Sequence, residues 1–442
     1  KYHYSIEGAS RAMMMPTKNR TKKTSNTRLP IAIAIVAIII NSMLVQTANS
    51  LRVAVLGSGI AGSSAARTLA DHGVKVTVFE SGYNVGGRTS TRVVTRDDEC
   101  QYQFDHGAQY IGTPKTEMFR ACLEGWKKDG FVREWSGRFA SVDGIKIAYD
   151  DEDAAADTKK KKKQERWVGY PRMNSICTNL LDHPNIMVET DTRADATQRY
   201  NPDMGWHYQL KKGGGRSDKE LGTYDWLVAS DRNSGAHHRK DLRAANIDEF
   251  TARGGLLRDV RSIKSLTAMV VFDRPLDVRM DGVQFTGVDG DKYGSLGWAV
   301  RDTSKPGRER TDTKECWVLQ THPEAARKLL KGMRDIKEIR EMARDVLIDD
   351  FLNSLPHLRE TTDKGSTAAV EDVDIRSVVY SVGHRWGAAF PLPPREFTEK
   401  ECMVRPSKQF AACGDYFGKY SGRIEGAYLS GHAAAKEIIR LI

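Results

Sequence analysis

The chain has 442 residues and is 40% hydrophobic, enough apolar material for a large core built as two lobes. Its 68 Lys and Arg against 58 Asp and Glu give a net charge of +10. That excess is concentrated in KNRTKKTSNTR near the N-terminus and in the run Lys159–Lys163, with no basic, aromatic-interleaved face of the kind that binds nucleic acid. Six scattered cysteines (Cys100, Cys122, Cys177, Cys316, Cys402, Cys413), with no C-x-x-C and no paired histidine spacing, argue against a structural metal and leave disulfides open for an exported chain.

In chain order, residues 1–50 read as a targeting segment outside the fold. If translation starts near Met15, a basic stretch precedes the apolar run Ile31–Ile40 and small residues such as Ala48, the layout of a secretory or organelle-entry signal. The apolar run is short of the about 20 residues a bilayer-spanning helix needs. A cleaved signal to the secretory pathway or an organelle lumen is the expectation, with an uncleaved membrane anchor as the alternative.

Residues 51–56 (LRVAVL) read as an apolar strand, GSGIAG at 57–62 as a glycine turn, and Ser63–His72 as a helix stopped by Gly73. A second strand, VKVTVF at 74–79, ends on Glu80. The spacing is that of a dinucleotide-binding unit: Gly57 permits the tight turn, Gly59 lets backbone approach a pyrophosphate, and Gly62 and Ala66 let helix and strand pack closely. Ile60 and Ala61, within the turn, join the candidate cofactor-binding residues, and the N-terminus of the following helix faces the phosphates. Glu80, followed by Ser81, can accept from ribose hydroxyls. Gly86, Gly87 and Arg88 then form a second glycine loop beside the first.

Further on, TYDWLVAS (223–230) and RSIKSLTAMVVFDRPL (261–276) read as strands, the second a long one. Residues 324–353 form a charged amphipathic helical region, and DDEDAAADTKKKKKQE (150–165) a low-complexity insert. At the C-terminus, Phe410–Cys413 reads as a strand, Gly414-Asp415 as its turn, and a helix starts near Glu425.

Glu80 followed by the Gly86-Gly87-Arg88 loop, and Gly414-Asp415 followed by Glu425-Gly426-Ala427, resemble the flavoproteins with two dinucleotide-binding domains, specifically the FAD-dependent amine oxidase superfamily. FDHGAQYI (104–111), RWVGYPRMNSIC (166–177), LGWAVRDTSKPGR (296–308), CWVLQTHPEAA (316–326) and HRWGAAFP (384–391) narrow the resemblance to its renalase-like branch, from about Leu51 to the end. The resemblance implies an α/β fold: a discontinuous, Rossmann-like FAD-binding domain (51–115, 172–240, 405–442) interleaved with an α+β substrate domain on a mixed sheet (116–171, 241–404).

It also implies non-covalent FAD, with Gly107, Ala108 and Gln109 among its binding residues, Arg193 and Ala194 in MVETDTRADA (187–196) near the adenine, and Asp415, Glu425, Gly426 and Ala427 at the flavin. His384, Arg385, Trp386, Tyr110 and Trp298 become the expected catalytic-pocket residues. Amine oxidases of the superfamily keep a lysine on the substrate-domain strand; here Thr267 takes that position, and Lys264, three residues away, faces the opposite side of a regular strand.

The implied activity is oxidation of misreduced NAD(P)H isomers, hydride passing to flavin and electrons to O2, giving H2O2. The alternatives are an oxidase of amines or polyenes, or a non-enzymatic binding protein like the Rab GDP-dissociation inhibitors. The implied partners are a small-molecule substrate and O2, with neither nucleic acid nor, unless the N-terminal segment remains as an anchor, a membrane.

Overall fold

A computed structural model describes residues 51–96, 101–144, 146–150, 164–213, 219–230, 260–286, 293–359, 374–393 and 395–442. The expected targeting segment and most of the lysine-rich insert lie outside these residues.

Runs with apolar residues on both faces form strands buried on both faces. Arg52–Leu56 and Lys75–Phe79 pair in parallel, with Val53, Val55, Val76 and Val78 each at most 2% exposed, a burial of about 1.5–3 kcal/mol per side chain. Ile186–Glu189 joins one side and Trp226–Ala229 the other, both in parallel. Phe410–Ala412 follows in parallel, and Met403–Arg405 closes the six-stranded sheet antiparallel.

The first helix, Ile60–Asp71, packs against this sheet through Ala65, Ala66 and Leu69, all fully buried. The C-terminal helix, Ile424–Leu441, packs against the first helix. Their approach is close enough that a Cβ on Gly431 would overlap the carbonyl of Ala61.

The stretch 223–230, expected to be one strand, is two. Tyr224 ends a strand of a three-stranded antiparallel sheet, while Trp226 begins the parallel one. Asp225 makes the corner, its carboxylate accepting from Arg52 N at 2.8 Å.

The second large sheet has seven strands and is mixed. Its longest inner strand, Arg261–Phe272, lies between the edge strand Val378–Leu392 and Glu315–Thr321; Leu296–Arg301, Gly282–Phe285, Phe139–Asp143 and Lys146–Tyr149 continue the sheet. The region 324–353 resolves into two helices, Pro323–Leu329 and Ile336–Arg359. The second buries Ile339, Ala343, Leu347 and Phe351, spaced four residues apart, against the sheet. Among the described residues no helix is long and apolar enough to cross a membrane, and the five described cysteines are free.

Candidate dinucleotide and substrate site

Gly57 follows the first strand at φ 97°, a left-handed conformation that favours glycine, and its N–H donates to Phe79 O at 2.9 Å. The second glycine loop lies against the first: Gly59 and Gly86 form a parallel bridge, and Gly86 N donates to Ser58 O at 3.1 Å. Gly86 and Gly87, at φ 121° and 54°, again need glycine. A Cβ on Gly62 would overlap Gly57 O and Ser230 Oγ, so Gly62 serves the protein's own packing.

Gly59 differs. Its φ of −68° and ψ of 178° suit any residue, and a Cβ there would find its nearest atom, Gly86 O, 4.0 Å away. Neither backbone nor packing requires glycine at this point, yet it borders a cavity of about 150 Å³ lined also by Ile60, Ala61, Gly86 and Arg88. The helix that begins there carries neither a side-chain cap nor an acid in its first turn. Its leading N–H groups therefore face open space. The C-terminal helix also starts without a side-chain cap, at Arg423, and brings Arg423, Ile424 and Ala427 to the same cavity. Two uncapped helix N-termini and a vacant path at Gly59 fit an extended, electron-rich ligand such as a dinucleotide.

Arg88 is held by a bidentate pair with Asp415, Nη1 to Oδ2 at 2.7 Å and Nη2 to Oδ1 at 2.6 Å. Gly414 N donates to Ser430 Oγ at 2.9 Å, and Gly414 and Asp415 also line this cavity. Glu80 turns to its own loop: Ser58 N and Oγ donate to Oε2 at 3.0 and 2.6 Å, and Gly82 N to Oε1 at 2.7 Å. The segment carrying Arg193 and Ala194 adjoins it, Thr192 N donating to Glu80 O. Gly57, Gly62, Glu80, Ser81, Gly87, Arg193 and Ala194 line neither of the two cavities described here.

The second cavity, about 1250 Å³, opens beside the first and is lined by Gln109, Tyr110, Trp298, Phe390, Lys115, Arg120 and Glu425, among others. It exceeds the about 300–1,000 Å³ typical of a small-ligand pocket. Gly107, Ala108, Gln320, Phe390, Gly422, Arg423 and Ile424 line both cavities. Of the expected C-terminal residues, Ala427 reaches the first cavity, whereas Gly426 is a packing glycine whose Cβ would overlap Tyr420 O. Glu425, 2% exposed, accepts from Lys115 N, Thr116 N and Thr116 Oγ1 at 2.8–3.0 Å.

Of the expected pocket residues, Trp386 lines the first cavity, and Tyr110 and Trp298 line the second. His384 and Arg385 line neither. His384 lies behind Trp386, with ring centroids 4.6 Å apart, and edge-on to His106 at 4.8 Å. Burial, with a smaller push from His106, lowers its pKa to about 3, so the ring is neutral. Arg385 points to the opposite face of its strand, the side on which a Cβ at Gly383 would overlap Arg340 O of the long helix.

Thr267 is fully buried between His384 and Gln320, its Oγ1 without a partner. Lys264 is exposed at a register shift in the strand. The strand residue that reaches the first cavity is Ser265.

Sequence reasoning also missed Gln320, Arg423 and a buried charge cluster. Lys305 Nζ contacts Asp302 Oδ1 at 2.8 Å, Gln109 Oε1 at 2.9 Å and Asp105 Oδ2 at 3.1 Å. Arg308 reaches Asp302 Oδ2 at 2.5 Å and Asp105 Oδ2 at 2.9 Å. All four charged side chains are at most 2% exposed. The cluster ties the 302–308 segment to the loop at 105–109, whose Gly107 and Ala108 border both cavities.

Residues 55–123 match the NAD(P)-binding Rossmann-like domain family. Over 72 residues the chain is 42% identical to the flavin-containing amine oxidase A of Canis lupus familiaris, and over 76 residues 38% identical to the human flavin-containing amine oxidase B. These alignments cover 16% and 17% of this chain but only 13% and 14% of the relatives. Similarity of fold extends much further. A putative protoporphyrinogen oxidase from Exiguobacterium superposes with a TM-score of 0.57 at 11% identity, over 88% of this chain and 99% of that one. Cyclohexylamine oxidase from Brevibacterium oxydans does so with 0.57 at 13% identity, over 89% and 99%. The sequence similarity thus spans the segment with both glycine loops, and the chain spans about an eighth of the length of the amine oxidases it matches, while most of the chain shares the fold of the two superposed oxidases.

Proposed function

We propose that the protein is a FAD-dependent oxidoreductase that oxidises small dihydronicotinamide-type substrates, isomers of NAD(P)H reduced at the wrong ring carbon. The observation that carries this reading is the convergence of two glycine loops and two uncapped helix N-termini on one cavity, with a larger cavity opening beside it. FAD held there without a covalent link would supply a two-electron acceptor for a hydride from the substrate, with O2 as the final oxidant and H2O2 as its product.

The Gly57–Gly62 turn and the Gly86–Arg88 loop would hold its pyrophosphate. Asp415, through Arg88, fixes the second loop, and the start of the C-terminal helix would favour negative charge on a flavin bound in the first cavity. Trp298, Tyr110 and Phe390 give the second cavity apolar faces for a flat ring. No strong base is required, because hydride loss itself makes the nicotinamide ring aromatic; the chain's contribution is orientation. A targeting segment at residues 1–50 would deliver the enzyme to the secretory pathway or an organelle.

Oxidation of an amine is the second reading, favoured by the carboxylates of Glu117, Asp150 and Glu165 in the lining of the second cavity. Against it stands the strand at 261–272, which offers Ser265 rather than a lysine to the first cavity. Anaerobic mixing separates the two. Rapid bleaching of the flavin by borohydride-generated NADH isomers, with none by benzylamine or polyamines, is expected. Bleaching by amines alone would reverse the assignment, and colourless purified protein would remove both readings.

A further inference from the structure

We propose that Arg423 is a specificity-determining residue that selects a substrate carrying an anionic group. Seven residues border both cavities, and among them Arg423 carries the sole charge; Gln320 is neutral and the other five have no polar side chain. Its charge is uncompensated. Nη2 donates to Thr113 O at 3.2 Å, Nε is buried without an acceptor, and among the described residues no carboxylate pairs with the guanidinium.

Arg88, the other arginine of the first cavity, is by contrast neutralised by Asp415. The nearest acid in sequence, Glu425, is turned to the backbone N–H groups of Lys115 and Thr116 and to the Thr116 hydroxyl. A half-buried cation with no carboxylate partner is costly, and this one also stands at the positive end of an 18-residue helix. The two positive potentials add where substrate and cofactor meet. An anion there gains a charge-assisted hydrogen bond; an ammonium is repelled.

Gln320 adds direction. Its Nε2 donates to His106 O and Gly107 O at 3.3 and 3.0 Å, which leaves Oε1 as an acceptor at the same junction. The inference rests on the flavoprotein reading above but not on the dihydronicotinamide one. Any substrate with a phosphate or carboxylate within reach of the reacting ring would satisfy it.

The test titrates flavin-loaded wild type, Arg423→Gln and Arg423→Lys with NAD+, benzoate and benzylamine, reading dissociation constants from the perturbed flavin absorbance. Flavin content and flavin retention on dilution are measured in parallel. The expected result is a weakening of benzoate and NAD+ binding by about 10- to 100-fold in Arg423→Gln, the range for losing a charged hydrogen bond. Arg423→Lys recovers part of it, benzylamine binding is not weakened, and flavin is retained. Equal anion binding by wild type and Arg423→Gln would overturn the proposal, as would a wild type that responds to benzylamine alone. Loss of flavin from Arg423→Gln with retention by Arg423→Lys would also overturn it, making the cofactor's own phosphates the partner. Arg423-dependent binding of benzoate without any NAD+ binding would uphold anion selection and remove the dihydronicotinamide reading instead.

Discussion

Replacing Lys305 with Met removes one charge from a buried, balanced set of four. Asp105 and Asp302 face Lys305 and Arg308, and the Lys305 ammonium directs three contacts of 2.8–3.1 Å to Asp302, Gln109 and Asp105 with no exposure to solvent. Methionine keeps the volume but leaves two carboxylates against one guanidinium. Breaking a buried pair from one side costs about 3–5 kcal/mol, and this site approaches the upper end because three acceptors lose their donor at once.

The pH dependence identifies the cause. Burial raises the Asp105 pKa, but Arg308 and Lys305 outweigh it and hold the carboxyl well below its ordinary 3.8. The stability this carboxylate contributes is therefore present above the unfolded value and lost only as pH falls through the folded one. Without Lys305 the folded value rises, so a proton compensates and the deficit shrinks from pH 7 to pH 5. Urea unfolding of flavin-loaded protein, followed by tryptophan fluorescence at both pH values, measures this. A second change, Asp302→Asn in the Met variant, restores charge balance and should recover part of the loss. A deficit below about 1 kcal/mol, or one independent of pH, would refute the account.

The two turn glycines should separate cleanly. Gly59→Ala leaves the unfolding midpoint of flavin-free protein unchanged, since its Cβ meets no protein atom closer than 4.0 Å, while weakening flavin retention; Gly62→Ala, with Gly57 O in the way, lowers both. His384, with its pKa lowered to about 3, stays neutral while the unfolded chain takes up a proton near pH 6.5. Folded stability therefore falls on acidification from pH 6.5, by up to about 1.4 kcal/mol per pH unit from this group. His384→Phe should flatten the curve between pH 6.5 and 4, and an unchanged slope would contradict the placement. Glu425→Ala leaves Lys115 N, Thr116 N and Thr116 Oγ1 without their acceptor. It should cost about 1–3 kcal/mol and raise hydrogen exchange at the start of the helix from Glu117 to Lys128; protection equal to wild type there would argue against that role.

The sequence by itself determined the dinucleotide unit, because strand, turn and helix there are local: Gly57 needs its positive φ, and a run with apolar residues on both faces needs cover on each. Helix Ile60–Asp71 and strand Lys75–Phe79 fall within three residues of the expected bounds. The same logic reached the C-terminal strand and helix, and the long strand at 261–272. It could not show that Asp225 breaks 223–230 between two sheets, because that corner is set by pairing partners more than a hundred residues away.

Tertiary structure alone decided which side chains reach the cavities. A register shift at Lys264 leaves Ser265 facing the first cavity, and strand alternation turns Arg385 away while Trp386 faces in. Lys305, Arg308 and Asp302 read as ordinary charged residues after a strand; only folding brings them onto Asp105, about 200 positions earlier. Nothing in the sequence marked Arg423. That no carboxylate pairs with it among the described residues becomes visible only in the fold, since electrostatic compensation depends on distance in space, and a sequence records only distance along the chain.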